Sequence, residues 1–214
     1  MKISKDDAAQ NLNFMKLAIA EAKKSKLDGG KTPLYVGAVV VKNGNLLASA
    51  CRGEISEGEH AEYTTLERKL VGVDLTGATL YTTLEPCTTR NHPKIPCAKR
   101  IVKRKIGKVV VGILDPNPDI RGNGVWILTD SGIRVEHFPH DLQEEIRKLN
   151  HEFIKEQRGN QKTKSKDEKE KPVQKARSRR TEKSNMTQKI DIAGSSGITI
   201  IQVGRDADSS TPKE

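Results

Sequence analysis

The sequence predicts an α/β domain of three layers, with a mixed central sheet between helices, followed by a disordered tail. Two observations carry this prediction. Helical and strand patterns alternate along the first 157 residues, as expected for a layered α/β domain. The first two strand patterns are joined by Asn43-Gly44, a strong signal for an antiparallel hairpin. All seven aromatic residues also fall before residue 154, so the core is expected within residues 1–157.

The elements follow from local patterns. Residues 11–27 carry apolar side chains at helical spacing, and Asp28-Gly29-Gly30 ends that helix. Residues 35–41 form a continuous apolar run, which is typical of a strand buried on both faces. After the turn, residues 46–51 return antiparallel. The remaining predicted elements alternate: helix 60–70, strand 78–84, helix 97–105, strand 109–114, helix 124–130, strand 133–138 and helix 142–157.

A second composition begins after this domain. From residue 157 to residue 188 the only apolar residues are Val173, Ala176 and Met186, so no core forms there and residues 158–188 are predicted to be a disordered linker. Residues 158–214 carry 14 basic and 8 acidic residues, which is +6 of the chain's net charge of +10. Such a segment either touches nucleic acid electrostatically or is a solvated linker.

Several classes of protein are excluded by composition. The sequence has no run of about 18 apolar residues, so no membrane span is expected. Its first residues, Met1 to Asp7, lack the apolar stretch of a signal peptide. Three cysteines are too few for a disulfide scaffold. We therefore expect a soluble cytoplasmic protein with reduced thiols.

One group of residues indicates a metal site. His60 opens a predicted helix, Cys87 follows a predicted strand, and Cys97 opens the next helix. One imidazole and two thiolates suit tetrahedral Zn²⁺, and three protein ligands leave a fourth position open, as in catalytic sites. Water in that position has its pKa lowered towards about 7. His60, Cys87 and Cys97 are thus the predicted ligands.

Glu62 lies two positions after His60 and need not bind the metal. Its carboxylate suits general acid–base catalysis, taking a proton from the attacking water and giving it to a ring nitrogen and the departing amine. A His-x-Glu motif followed by Pro-Cys-x-x-Cys, with two residues between the cysteines, is the pattern of zinc nucleobase deaminases. Here nine residues separate the two cysteines.

The longer cysteine spacing, the segment Thr83–Cys87, and Asp115-Pro116-Asn117-Pro118 with Gly122-Asn123-Gly124 resemble a known family. They are similar to the deaminase domain of the bifunctional riboflavin-pathway deaminase/reductase, within the cytidine-deaminase-like superfamily. The resemblance covers residues 11–157. It implies a three-layer fold, bound zinc and hydrolytic removal of an exocyclic amine from a pyrimidine-type ring, with His60, Cys87 and Cys97 as ligands and Glu62 as proton shuttle.

The resemblance is less complete at the residues that contact substrate. Asn117 matches the family's substrate-contacting Asn, whereas Thr32–Tyr35 stands where the family has a ribose-contacting Asn. The loop between the cysteines offers Arg90 or Lys94 as its basic residue. No reductase domain is expected in residues 158–214, which argues against the riboflavin intermediate as substrate.

The tail, residues 189–214, carries a separate pattern. Ile201-Gln202-Val203-Gly204 resembles the four-residue core of the RIP homotypic interaction motif and of amyloid-signalling motifs. An uncharged β-prone segment suits stacking of strands from several chains, so residues 189–208 are a candidate for self-association. A disordered end or an extra edge strand is the alternative.

Three functions follow. The leading one is a zinc-dependent hydrolytic deaminase of a pyrimidine-type nucleotide or nucleoside, expected to be an oligomer. The second is a deaminase acting on single-stranded nucleic acid or tRNA, although the chain has few aromatic residues for stacking bases. The third is a deaminase-like effector of a signalling assembly, recruited through the tail.

Overall fold

Five strands form one mixed sheet in the computed structural model of the chain: β1 (Gly37–Lys42), β2 (Asn45–Cys51), β3 (Thr79–Leu84), β4 (Lys108–Ile113) and β5 (Arg134–His137). Their order across the sheet is β2-β1-β3-β4-β5. β1 pairs antiparallel with β2 and with β3. β3, β4 and β5 pair parallel. The sheet is therefore mixed, as the sequence predicts.

The turn between β1 and β2 confirms the predicted hairpin. Asn43 and Gly44 both have positive φ, 51° and 76°, which a two-residue turn of type I′ requires at its central positions. Asn and Gly adopt this left-handed conformation at the least cost of any residues.

Helices cover both faces of the sheet. The described helices are α1 (Lys5–Ala22), α2 (Ala61–Tyr63), α3 (Cys97–Lys103), α4 (Asn123–Asp130), α5 (His140–Leu149) and α6 (residues 151–159). α1 packs on β1 and β3 and touches α5, which packs on β4. α3 packs between α2 and α4. α2 also contacts β1 and β2, and α4 contacts β5. The predicted three-layer α/β/α fold is confirmed.

Three predicted helices differ in extent from the observed ones. The helix expected over residues 11–27 spans Lys5–Ala22, so it begins earlier and ends before the Asp28-Gly29-Gly30 signal. The helix expected over residues 60–70 begins at Ala61 and continues as a π-helix over Thr64–Lys69, a variant that is frequent near functional sites. The closing helix expected over 142–157 is divided by a turn at Asn150. Asn150 accepts a hydrogen bond from Tyr35 N at 2.8 Å and donates one to Tyr35 O at 3.0 Å. These tertiary bonds tie the end of α5 to the segment before β1.

The core lies on both faces of the sheet, and β1, β3 and β4 are buried along almost their whole length. The structure describes residues 5–26, 28–91 and 93–159. The predicted linker beyond residue 159 and the predicted tail, with its self-association motif, lie outside the described residues. Among the helices that are described, none combines the length and the apolar character needed to cross a bilayer.

The strand directions bring several loops together at one end of the strands, where β3 and β4 finish and β1 begins. β3 and β4 are parallel and end together, with Leu84 opposite Ile113. β1 runs the other way, so its first residue, Gly37, lies at this same end of the sheet, opposite Cys51 at the end of β2. Segments that follow β2, β3 and β4 therefore meet the segment that precedes β1, and the candidate site forms there.

Candidate metal centre and active site

His60, Cys87 and Cys97 lie close together at the end of the sheet where β3 and β4 finish. His60 Nδ1 lies 3.5 Å from Cys87 Sγ and 3.5 Å from Cys97 Sγ, and the three atoms lie within 4.8 Å of one another. Tetrahedral zinc with Zn–N of about 2.0 Å and Zn–S of about 2.3 Å places N and S about 3.5 Å apart. The donor set and its spacing therefore fit a zinc ion.

The thiols of Cys87 and Cys97 are shifted in opposite directions in pKa, and Cys87 Sγ also accepts a hydrogen bond from Cys97 N at 3.4 Å. The Cys97 thiol and the His60 ring together lower the pKa of Cys87 to about 4. Donating to Cys87 and burial both raise the pKa of Cys97. A bound divalent cation ionises the thiols that coordinate it.

Glu62 is buried beside these side chains, with 3% of its surface exposed. Burial raises the pKa of its carboxyl group. Glu62, His60 and Cys87 line a cavity of about 90 Å³. Its other walls are Leu34, Val36, Arg52, Leu84, Glu85, Asp115 and Phe153. Glu62 and two of the candidate metal ligands, His60 and Cys87, therefore face one small, largely apolar space.

Glu85 fixes the loop between β4 and α4. Its carboxylate is 4% exposed and accepts four backbone hydrogen bonds. Oε2 accepts from Asp115 N at 3.0 Å and Gly122 N at 2.9 Å. Oε1 accepts from Gly124 N at 2.8 Å and Val125 N at 3.2 Å. One side chain thus ties the end of β3 to both ends of the 115–122 loop and to the start of α4.

Comparison with known proteins places this site in a family. Residues 8–113 match the family model of the cytidine and deoxycytidylate deaminase zinc-binding region. The chain is also 36% identical over 144 residues to the diaminohydroxyphosphoribosylamino-pyrimidine deaminase of Buchnera aphidicola subsp. Acyrthosiphon pisum, covering 66% of this chain and 92% of that relative. The chain belongs to the cytidine and deoxycytidylate deaminase family. The predicted family and the predicted zinc cofactor are thereby confirmed.

Longer members of this family are matched over part of their length. The riboflavin biosynthesis protein RibD of Aquifex aeolicus is 42% identical over 142 residues, which are 66% of this chain and 38% of that relative. The structure of Acinetobacter baumannii RibD, form 2, aligns with a TM-score of 0.58 and 38% identity, over 69% of this chain and 40% of that chain. The chain thus spans about two fifths of these relatives. Neither the family match nor these relatives support the resemblance of residues 201–204 to interaction motifs.

The three predicted substrate contacts of this deaminase-family chain do not line the 90 Å³ cavity. Asn117 lies in the loop beyond Asp115, where its Oδ1 accepts from Asp119 N at 3.1 Å. Arg90 is half-buried, and its Nη2 lies 3.5 Å from Gly58 O. Lys94 is exposed. Of the two basic candidates, Arg90 is the one directed towards the segment that leads into His60.

Four charged or aromatic residues of the cavity wall were not assigned a role from the sequence: Arg52, Glu85, Asp115 and Phe153. Glu85 had a detectable signal, because an acidic residue between a buried strand and a candidate ligand needs partners when it is buried. Asp115 carries a raised pKa, caused mainly by burial. Arg52 and Phe153 carried no local signal, since each reaches the cavity only through the packing of β2 and α6.

Proposed function

We propose that this chain is a zinc-dependent hydrolytic deaminase of an aminopyrimidine nucleotide, with a diaminohydroxyphosphoribosylamino-pyrimidine as the first substrate to test. The observation that carries the proposal is the buried Glu62 carboxyl in one cavity with His60 and Cys87, two of the three side chains whose spacing fits zinc. A relative that bears this deaminase's name is spanned over 92% of its length. The lack of a predicted reductase domain therefore does not argue against this substrate.

The reaction exchanges an amine for a carbonyl oxygen. Bound zinc supplies the Lewis acidity that makes water nucleophilic near neutral pH. Glu62 accepts the proton of the attacking water and delivers it to the adjacent ring nitrogen, and then assists protonation of the leaving amine. The water oxygen ends as the ring carbonyl, the C–N bond breaks, and the amine departs as ammonia. His60, Cys87 and Cys97 are the residues that would hold the metal.

The cavity walls exclude water and confine the substrate ring. Leu34, Val36, Leu84 and Phe153 enclose the space with apolar surface, which excludes bulk water and strengthens the electrostatic interactions inside. The Asp115 loop, which Glu85 holds by backbone hydrogen bonds, closes another side. A planar ring that enters this space is confined near Glu62.

The test is ammonia release by the zinc-loaded full chain from a panel of aminopyrimidine nucleotides and nucleosides that includes the riboflavin-pathway compound. Glu62→Gln should keep zinc and lose at least about 100-fold in kcat, because general acid–base catalysis contributes about 10²–10⁴-fold. Glu67→Gln is the matched control: it lies on the same helical segment, and its carboxylate faces Arg100 and Arg104 at 3.9 Å. Absence of ammonia from every compound, or full activity in Glu62→Gln, would overturn the proposal.

The other two functions considered from the sequence are not favoured by the comparisons. The relatives of this chain include pyrimidine deaminases and riboflavin biosynthesis proteins. The proposal therefore concerns a small-molecule nucleotide substrate.

A further inference from the structure

A second cavity lies where β4 and β5 end. It measures about 370 Å³, within the range of about 300–1,000 Å³ that is usual for small-molecule sites. Gly112 and Ile113 end β4 and His137 ends β5, so the cavity lies outside the carboxyl ends of two parallel strands, where ligands commonly bind in such sheets. It shares no lining residue with the catalytic cavity. We call it the Arg121 cavity.

Three guanidinium groups from three different elements surround the Arg121 cavity. Arg121 belongs to the 115–122 loop, Arg147 to α5 and Arg158 to α6. None of the described residues that line the cavity is acidic. Its apolar walls are Ile113, Leu114, Pro116 and Ile154. Since guanidinium groups bind phosphate and carboxylate through paired hydrogen bonds, the lining favours an anion.

The positive charge of the Arg121 cavity is only partly offset. Arg147 donates from Nη1 to Glu144 Oε1 at 2.7 Å and from Nη2 to Gln143 Oε1 at 2.9 Å. Gln143 in turn donates to Phe138 O at 2.7 Å, so the Arg147 guanidinium is held in one orientation. Arg158 is exposed, and in the part of the chain that the structure describes no carboxylate forms an ion pair with it. An anion would therefore find one oriented guanidinium and one without an ion-pair partner.

Arg121 connects this cavity to the catalytic one. Its Nε donates to Asp115 O at 3.0 Å, and its Nη2 donates to Pro116 O at 3.2 Å. Asp115 lines the catalytic cavity, whereas Pro116 lines the Arg121 cavity. The loop that begins with these two residues is thus a wall between the two spaces. A ligand that pairs with Arg121 acts on that wall.

We propose that the Arg121 cavity binds a small molecule with a phosphate and a second acidic group, and that its occupancy lowers the KM of the enzyme for its substrate. Two acidic groups match guanidinium groups that approach one cavity from three separate elements. The binding does not depend on the proposed deaminase function, whereas the effect on KM rests on it.

The direction of the effect follows from the hydrogen bonds of Arg121. An anion that pairs with this guanidinium adds to the two bonds that already tie it to the backbone of the loop. It therefore binds best when the loop has the conformation seen here, with Asp115 at the catalytic cavity. A ligand shifts a conformational equilibrium towards the state that it binds better. By linkage, substrate must tighten binding of the anion by the same factor.

The binding experiment is calorimetric titration of the zinc-loaded full chain at constant ionic strength. The probes are 3-phosphoglycerate, which carries both acidic groups, glycerate, which carries only the carboxylate, and inorganic phosphate. The key variant is Arg147→Gln/Arg158→Ala, since both side chains lie at the surface and their loss does not open the core. Lys155→Ala is the matched control, because Lys155 is an exposed cation of the same helix as Arg158 and does not line the cavity.

We expect 3-phosphoglycerate to bind more tightly than glycerate or inorganic phosphate. Its Kd should rise at least about tenfold in Arg147→Gln/Arg158→Ala and change less than about twofold in Lys155→Ala. Equal Kd values in the double variant and the wild type, or no binding to the wild type at millimolar concentration, would overturn the proposal. Glycerate that binds as tightly as 3-phosphoglycerate would refute the need for a phosphate.

Steady-state kinetics test the connection between the two cavities. Saturating 3-phosphoglycerate should lower the KM for the deaminated nucleotide at least about fivefold, a typical coupling between two sites, and should leave it unchanged in the double variant. In Arg121→Gln the same saturating ligand should change KM less than about twofold. A raised KM that persists in the double variant would place the ligand in the catalytic cavity, and a full effect in Arg121→Gln would refute Arg121 as the connection.

The two methods separate this inference from the proposed function. Binding of 3-phosphoglycerate that depends on Arg147 and Arg158, in a chain that releases no ammonia from any compound, would support the cavity and refute the deaminase. Deamination without any such binding would refute the cavity and leave the deaminase standing.

Discussion

Replacing Glu85 by Gln should destabilise the protein strongly although the two side chains have nearly the same shape. The carboxylate accepts four backbone hydrogen bonds, two on each oxygen. An amide keeps one accepting oxygen, and its NH₂ group faces two N–H donors that then have no acceptor. Each buried donor left unpaired costs about 1–3 kcal/mol, so we expect a loss of about 2–6 kcal/mol in the free energy of unfolding.

Urea unfolding of the zinc-loaded full chain measures this loss, with zinc content determined on the same samples. Glu62→Gln is the matched control, because Glu62 is as buried as Glu85. The two residues differ in that burial raises the pKa of the Glu62 carboxyl. A neutral amide there removes an unfavourable burial of charge, so stability should be unchanged or increased. A loss below about 1 kcal/mol in Glu85→Gln, or equal losses in both variants, would refute the assigned role of Glu85.

Three further outcomes are expected. Cys97→Ala should lose bound zinc and lower stability, because metal binding is coupled to folding; full zinc content by elemental analysis would remove Cys97 from the site. Asn150→Ala should cost about 2–4 kcal/mol in urea unfolding, since Tyr35 N and O lose their partner; an unchanged midpoint would contradict this. Gly124→Ala should destabilise the protein by about 1–3 kcal/mol in urea unfolding, because the new Cβ would clash with Pro86 O. Alanine otherwise favours helices, so increased stability would show that the backbone moves to relieve the clash.

The sheet of this protein is largely determined by local sequence. Asn43-Gly44 specifies the hairpin because only a few residues tolerate the left-handed conformation that its turn requires. The apolar runs of β1 and β4 lie inside the sheet rather than at its edges, where both faces are covered. His60, Glu62, Cys87 and Cys97 were likewise identifiable because their chemistry is rare and their order along the chain is informative.

Tertiary structure decided the features that depend on distant partners. The turn at Asn150 divides the closing helix because its amide bonds to Tyr35, 115 residues away, and no local pattern encodes that contact. Arg52 and Phe153 reach the catalytic cavity only because β2 ends and α6 begins beside it. The position of Glu85 in the sequence indicates that it needs partners, but only the folded loop after β4 shows that these are four backbone N–H groups. Local patterns report what one segment favours, whereas a buried charge or a cavity wall is defined by segments that the folded sheet brings together.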